Sequence, residues 1–200
     1  MTFDTTSDDT TSRDITSGLR ARLEGGSLTC DISDSSENVA VFPLAFGWRS
    51  NSAGFLGPAH TVMAPEGDLD AVFAGIRTAA PGSVIVIATG GAVRAIWGET
   101  TTAQALGRGV AGVVLDGACR DVAAVRASGL TVVGLGSSPQ RAARLGQGEL
   151  GKALELHGLS VRPGDIIVSD ENGTVIVPSA HIATVVAAVL GSAGEEDNET

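Results

Sequence analysis

The sequence predicts an α/β fold of stacked layers, and three observations carry that reading. Short runs rich in β-branched residues alternate with segments of helical periodicity. The strand runs are apolar on both faces, as in strands buried between layers. A hairpin pattern and a final apolar helix close the chain, adding an antiparallel element to the βαβ units.

The elements follow in order. Residues 83–88 (SVIVIA) form a strand run started by Pro81-Gly82. Residues 110–115 and 130–134 are the second and third. Between them, residues 68–78 carry Leu69, Val72, Phe73 and Ile76 at helical spacing. Residues 98–108 and 121–128 fill the next two gaps as helices. Further on, residues 161–165 read as a turn and 166–168 as a strand. Asp170-Glu171-Asn172-Gly173 is a tight turn with Asn-Gly as its signature. Residues 174–177 pair back, Pro178 ends the strand, and an apolar helix spans about 179–190.

The chain has 200 residues, 43% hydrophobic and 18% charged, which suits one domain with a full core. Residues 1–16 are Thr-, Ser- and Asp-rich without periodicity and read as a disordered tail. The domain itself is expected over 17–192, and residues 193–200 form an acidic C-terminal tail. Of the net charge of −10, the first segment holds −3 and the last −4, which leaves about −3 for the body. A near-neutral body with 4% aromatics and no Tyr argues against nucleic-acid binding. No run approaches the roughly 20 apolar residues of a membrane span. The N-terminal segment has neither the basic nor the apolar region of a secretory signal. Cys30 and Cys119 make no disulfide framework, so a reduced, cytoplasmic setting is expected.

The chemistry concentrates in two places. Trp97-Gly98-Glu99-Thr100-Thr101 follows a strand and the Gly90-Gly91 loop and opens a helix. Free N–H groups at a helix start seat a carboxylate, and Gly98 lets a ligand approach the backbone. Twenty-one positions after Glu99 come Arg120 and Asp121, just past the carboxyl end of a strand, where α/β sheets place ligands. Arg120 offers a planar fork for the carboxylate of a 2-oxo acid. Asp121 offers hard oxygen to Mg²⁺ or Mn²⁺, and Glu99 could hold one of the cation's waters. The bland alternative is a plain strand-to-helix turn beside an exposed Arg-Asp pair, with Asp121 capping a helix. Asp116 either orients Arg120 or caps a turn. His60, His157 and His181 are scattered, and no zinc-type spacing occurs. Cys119 reads as a small buried residue rather than a nucleophile. Trp48 and Trp97 read as packing residues.

Set within WGETTTAQALGRGVAGVVLDGACRD, the acid-x20-Arg-Asp spacing resembles the RraA-like family, which includes class II HMG/CHA aldolases and the regulator of ribonuclease activity A. Further segments fit: Thr29 to Asp34 resembles an early T-x-x-x-S-D helix start, Gly57 to Val62 a GPAxTV motif, and Arg162 to Pro178 an RPGDxxxxDxxGxxxxP motif. The resemblance spans about residues 28–178. It implies a layered α/β/β domain of the swivelling kind, assembled as a homotrimer or hexamer with the site at a subunit interface. It implies that Gly98, Glu99, Thr100, Thr101 and Arg120 bind substrate and that Asp121 ligates Mg²⁺ or Mn²⁺. Glu99, Arg120 and Asp121 would then be catalytic. Glu195 or Glu196 falls near an acid that aldolases lend to a neighbouring subunit. The implied activity is cleavage of a C–C bond in a 2-oxo acid, by aldol cleavage or oxaloacetate decarboxylation, through a metal-stabilised pyruvate enolate. The alternatives are a non-catalytic regulator that binds a ribonuclease or other protein, and a specialised biosynthetic enzyme on the same fold. Residues 137–157 depart from the usual family loop and leave the substrate open.

Overall fold

The computed structural model describes residues 18–24 and 27–196, with side chains as far as Gly191. The tail expected at residues 1–16 lies outside the described residues, as do residues 197–200. Helical turns at residues 18–23 lead into α1 (Leu28–Ser35). The first strands are β1 (Ala40–Val41), β2 (Trp48–Arg49) and β3 (Phe55–Met63). Then come α2 (Leu69–Thr78), β4 (Val84–Ala88), β5 (Ala95–Trp97), α3 (Glu99–Gly107), β6 (Gly112–Leu115), β7 (Ala118–Cys119), α4 (Val122–Ala127), β8 (Val132–Gly134) and β9 (Gly136–Ser137). The C-terminal part holds β10 (Glu149–Leu150), β11 (Leu154–Leu156), β12 (Leu159–Val161), β13 (Ile166–Asp170), β14 (Gly173–Val177) and α5 (Ile182–Glu196).

The main sheet runs β1-β14-β13-β3-β4-β6-β8-β2, with β10 also on β3. Its β3-β4-β6-β8 centre is parallel, as the strand–helix alternation predicts. Strand β3 joins two regimes. Phe55 to Pro58 pair antiparallel with β13, and Ala59 to Met63 pair parallel with β4. At this junction Gly57 passes so close to Gly82 that a Cβ would lie 2.1 Å from the Gly82 carbonyl oxygen.

Period-2 alternation divides the sheet's side chains between two cores. Ile85 and Ile87 of β4, Val113 and Leu115 of β6 and Val132 of β8 pack under α2, α3 and α4. Val84, Val86, Val114 and Val133 face the opposite side, against Phe42, Phe46 and the β11–β12 hairpin. A third core joins Val168, Val175 and Val177 to α1 and α5. Each such side chain contributes roughly 1.5–3 kcal/mol by leaving water.

Two expectations change. In the hairpin, Asp170 pairs with Gly173, so the loop is Glu171-Asn172 and not Asn-Gly. Neither residue of that loop has positive φ, and Gly173 does not either. The Asp170 carboxylate closes the loop by accepting from the Asn172 N–H at 2.9 Å, and it also accepts from Thr29 N–H and Oγ1 at 2.8 and 2.6 Å. The early Thr29 motif and the late Asp170 motif are therefore two halves of one buried joint. At the C-terminus, α5 continues through Gly191 and Gly194 to Glu196, past the expected end near 190. Extending a formed helix costs far less than nucleating one, so two glycines do not stop it.

Candidate active site

The site lies beside the small parallel sheet β5-β7-β9. Strand β5 delivers Trp97, 1% exposed, whose indole N–H donates to Thr102 Oγ1 at 2.8 Å and fixes the start of α3. Gly98 is the N-cap in extended conformation. Its N–H donates to Thr101 Oγ1 at 2.9 Å, and that hydroxyl donates back to the Gly98 carbonyl at 2.9 Å. The Glu99 N–H reaches Asp121 Oδ2 at 3.3 Å. Among the described residues the N–H groups of Thr100 and Thr101 find no partner, leaving two donors of the helix start open.

Arg120 and Asp121 arrive from β7. The Arg120 N–H donates to the Trp97 carbonyl at 2.9 Å, which locks the two segments together. Asp121 has φ 50° and ψ 40°, a left-handed conformation uncommon outside glycine though best tolerated by Asn and Asp. It is the N-cap of α4, yet its side chain makes no cap bond to that helix. Its carboxylate turns across to Glu99 N–H and to Arg120 Nε, 3.3 Å from each oxygen. Asp121 thus holds the N-cap position of α4 through its carbonyl, which accepts from Val125 N–H at 3.0 Å, while its carboxylate is left for other partners. A Cβ on residue 98 would stand 2.8 Å from Asp121 Oδ2 and 3.0 Å from Arg120 Cγ, so this carboxylate position requires glycine there.

Arg120 and Asp121 form a ridge between two clefts. One, of about 310 Å³, is walled by Leu69, Phe73, residues 95–98, Thr100, Thr101, Arg141 and Arg144. The other, of about 340 Å³, is walled by Cys119, Val122 and residues 137–139. The predicted residues Gly98, Thr100, Thr101, Arg120 and Asp121 therefore meet at one cleft. Glu99 enters through its backbone N–H, while its exposed side chain is not part of the cleft wall. Thr101 is buried and its hydroxyl is committed to Gly98.

Asp116 does not orient Arg120. Its buried carboxylate accepts from Thr89 N–H and from Gly90 N–H at 3.2 Å, so it caps the Gly90-Gly91 loop. Burial, with the Asp121 charge adding to it, pushes the Cys119 thiol up to about 12 against a weaker opposing backbone bond from Arg120. A thiol held neutral is no nucleophile, in keeping with the sequence reading.

Sequence reasoning does not reach Arg141 and Arg144, because residues 137–157 carry no motif that marks them. Arg144 pairs with Asp70 at 3.2 Å and lies over the Phe73 ring at 4.9 Å. The segment that bears them is anchored by fully buried Asp68, which accepts from Leu145, Gln147 and Gly148 N–H at 2.9, 2.7 and 3.1 Å and from Asp70 N–H at 3.0 Å. Burial works against ionisation of Asp68, but these backbone donors outweigh it and hold the carboxyl down at about 2.

Among the described residues no three His, Cys, Asp or Glu side chains gather into a metal-sized group. A hard cation held by one carboxylate, with its other positions open to water and substrate, fits that donor set. Asp121 could hold such a cation: its backbone is strained, its side chain is 37% exposed, and the hydrogen bonds of its carboxylate among the described residues are all 3.3 Å long. No described helix is long and apolar enough to cross a membrane.

The family model described as RraA-like, Aldolase/RraA, matches residues 29–176. A Halalkalibacterium halodurans protein with the provisional name 4-hydroxy-4-methyl-2-oxoglutarate aldolase is 34% identical over 154 residues, covering 76% of this chain and 73% of that one. A 4-hydroxy-4-methyl-2-oxoglutarate aldolase of Thermus thermophilus is 30% identical, covering 75% and 92%. Among solved structures, the RNA-processing inhibitor RraA from Thermus thermophilis superposes with a TM-score of 0.69 at 29% identity, covering 75% of this chain and 92% of that one.

Proposed function

This chain belongs to the RraA-like, Aldolase/RraA family, and on that premise we propose that it is a divalent-metal-dependent lyase that cleaves a C–C bond of a small 2-oxo acid. One observation carries the reading. Asp121, in a strained left-handed conformation, turns its carboxylate away from its own helix and toward the open start of α3 beside Arg120. Strain kept at one residue of a cleft is a mark of function.

The division of labour follows from the groups. The N–H groups of Thr100 and Thr101 and the Arg120 fork bind the substrate carboxylate. Arg120 Nε is engaged by Asp121, and its two terminal nitrogens have no partner among the described residues. As the C–C bond breaks, its electron pair moves toward the 2-oxo carbonyl and negative charge grows on that oxygen. The other fragment leaves as a carbonyl compound once its hydroxyl has given a proton to water, or as carbon dioxide, and water returns a proton to the enolate carbon to give pyruvate. Arg120 faces that charge with donors already in place, so little reorganisation is needed. Mg²⁺ or Mn²⁺ on Asp121 would supply Lewis-acid polarisation of the same carbonyl. Glu99, exposed at the first helical position and outside the cleft wall, would take part as a second acid only through one of the cation's waters. Gly98 keeps Asp121 and the helix start in register, and oligomerisation as a trimer or hexamer would cover the exposed side of the cleft.

The test is pyruvate release from 4-hydroxy-4-methyl-2-oxoglutarate and from oxaloacetate, with Mg²⁺ or Mn²⁺ and with chelator. Turnover that needs the cation and is lost in Asp121→Ala supports the lyase. Full activity in chelator removes the metal. No turnover with any divalent cation, by a folded oligomer, favours the regulator reading, in which the same face engages a protein.

A further inference from the structure

We propose that Arg141 forms a second anion subsite that selects dicarboxylic 2-oxo acids over monocarboxylic ones by binding the carboxylate distal to the reacting carbonyl. The inference rests on the lyase reading for where the first carboxylate sits, and it adds a residue that no family motif marks.

Three guanidinium groups, Arg120, Arg141 and Arg144, wall the 310 Å³ cleft, and Asp121 is the only acid among those walls. This is a local excess of positive charge in a chain of net charge −10. The three arginines are not equivalent. Arg120 is tied to Asp121 at 3.3 Å. Arg144 is paired with Asp70 and packed on Phe73, so its charge is already matched. The Arg141 side chain is exposed and makes no hydrogen bond or ion pair to any described residue. An unpaired guanidinium on the wall of an anion-binding cleft is a donor awaiting an acceptor.

Its backbone, by contrast, is fixed. Arg141 bridges Ala95 in parallel register, with Ala95 N–H to Gln140 carbonyl at 2.7 Å and Ala142 N–H to Ala95 carbonyl at 3.1 Å. Ala95 opens the same strand that delivers Gly98 three residues later. At about 3.3 Å per residue, Arg141 is therefore anchored roughly 10 Å along the strand from the helix start. That separation is close to the length of a four- to five-carbon diacid with a hydrogen bond of about 2.9 Å at each carboxylate, so a guanidinium that stays beside its own backbone on the cleft wall meets the distal one. Asp68 holds the segment that follows, through Leu145, Gln147 and Gly148. The subsite is thus placed by backbone bonds on both sides and does not depend on loop chance.

The experiment compares wild type, Arg141→Gln and Arg141→Lys, each as the intact chain with Mg²⁺. Calorimetry reads binding of pyruvate, the single-headed probe, and of 2-oxoglutarate, the two-headed probe. Turnover is measured on oxaloacetate. The expected result is a loss of about 10-fold or more in 2-oxoglutarate affinity and a matching rise in KM for oxaloacetate in Arg141→Gln. Pyruvate affinity stays within about 2-fold, and Arg141→Lys recovers part of the loss. Equal binding of the two probes by wild type overturns the subsite, and so does an equal fall of both in Arg141→Gln. Absent turnover with an Arg141-dependent preference for 2-oxoglutarate sinks the lyase reading and keeps the subsite. Normal turnover that is indifferent to Arg141 does the reverse.

Discussion

At residue 121 backbone strain and chemistry coincide. A non-glycine residue at φ 50° costs of order 1 kcal/mol, and Asn and Asp bear it best. Asp121→Asn keeps the shape and the left-handed tolerance but removes the charge. It is expected to melt within about 3 °C of wild type, by calorimetry, while kcat for pyruvate release falls at least about 100-fold. Gly98→Ala probes the same geometry from the other side. Its backbone is extended, so alanine adds no strain, yet the Cβ would press on Asp121 Oδ2 at 2.8 Å. A fall of about 10- to 100-fold in kcat/KM with little change in melting temperature is expected. A variant as active as wild type would show that the carboxylate position is not critical.

Among the elements, those with many residues of one pattern are the ones the sequence shows. β4, β6 and β8 are short runs dominated by valine, isoleucine and leucine and buried on both faces, and all three fall inside the expected stretches. Helix α2 starts one residue after Asp68, its expected first residue and actual N-cap. The parallel sheet β5-β7-β9 was not legible, because its strands have three, two and two residues, too few to show a period. The site shares this limit. Gly98, Arg120 and Asp121 stand in motifs, but the left-handed backbone at 121 and the role of Arg141 arise only from segments distant in sequence. Asp68 shows how such segments are tied. Its carboxyl, held at about 2 against an ordinary 3.8, contributes stability that is complete above about pH 4 and is lost as pH falls toward 2. Thermal melts of wild type and Asp68→Asn from about pH 6 to about pH 2 are expected to differ most at the upper end and to converge at the lower. A constant gap across that range would show that the charge is not what anchors residues 145–148.

Over the whole molecule, three cores share one sheet, and β3 is the strand that joins the antiparallel β1-β14-β13 part to the parallel β4-β6-β8 part. The chain order makes this consequential, since β13 comes more than a hundred residues after β3 while β4 follows it directly. Freeing the β13–β14 hairpin would strip β3 of half its ladder and expose Leu56 and Val168 to water. The half of the domain that carries the cleft is therefore expected to depend for its stability on the last third of the polypeptide. In native-state deuterium exchange, amides of Ile85 to Ile87 and of Ile167 to Ser169 are expected to open with a single free energy and one denaturant slope. If the earlier group stayed protected after the later one had exchanged, the two ends of the chain would be separate folding units, joined by a strand that belongs to only one of them.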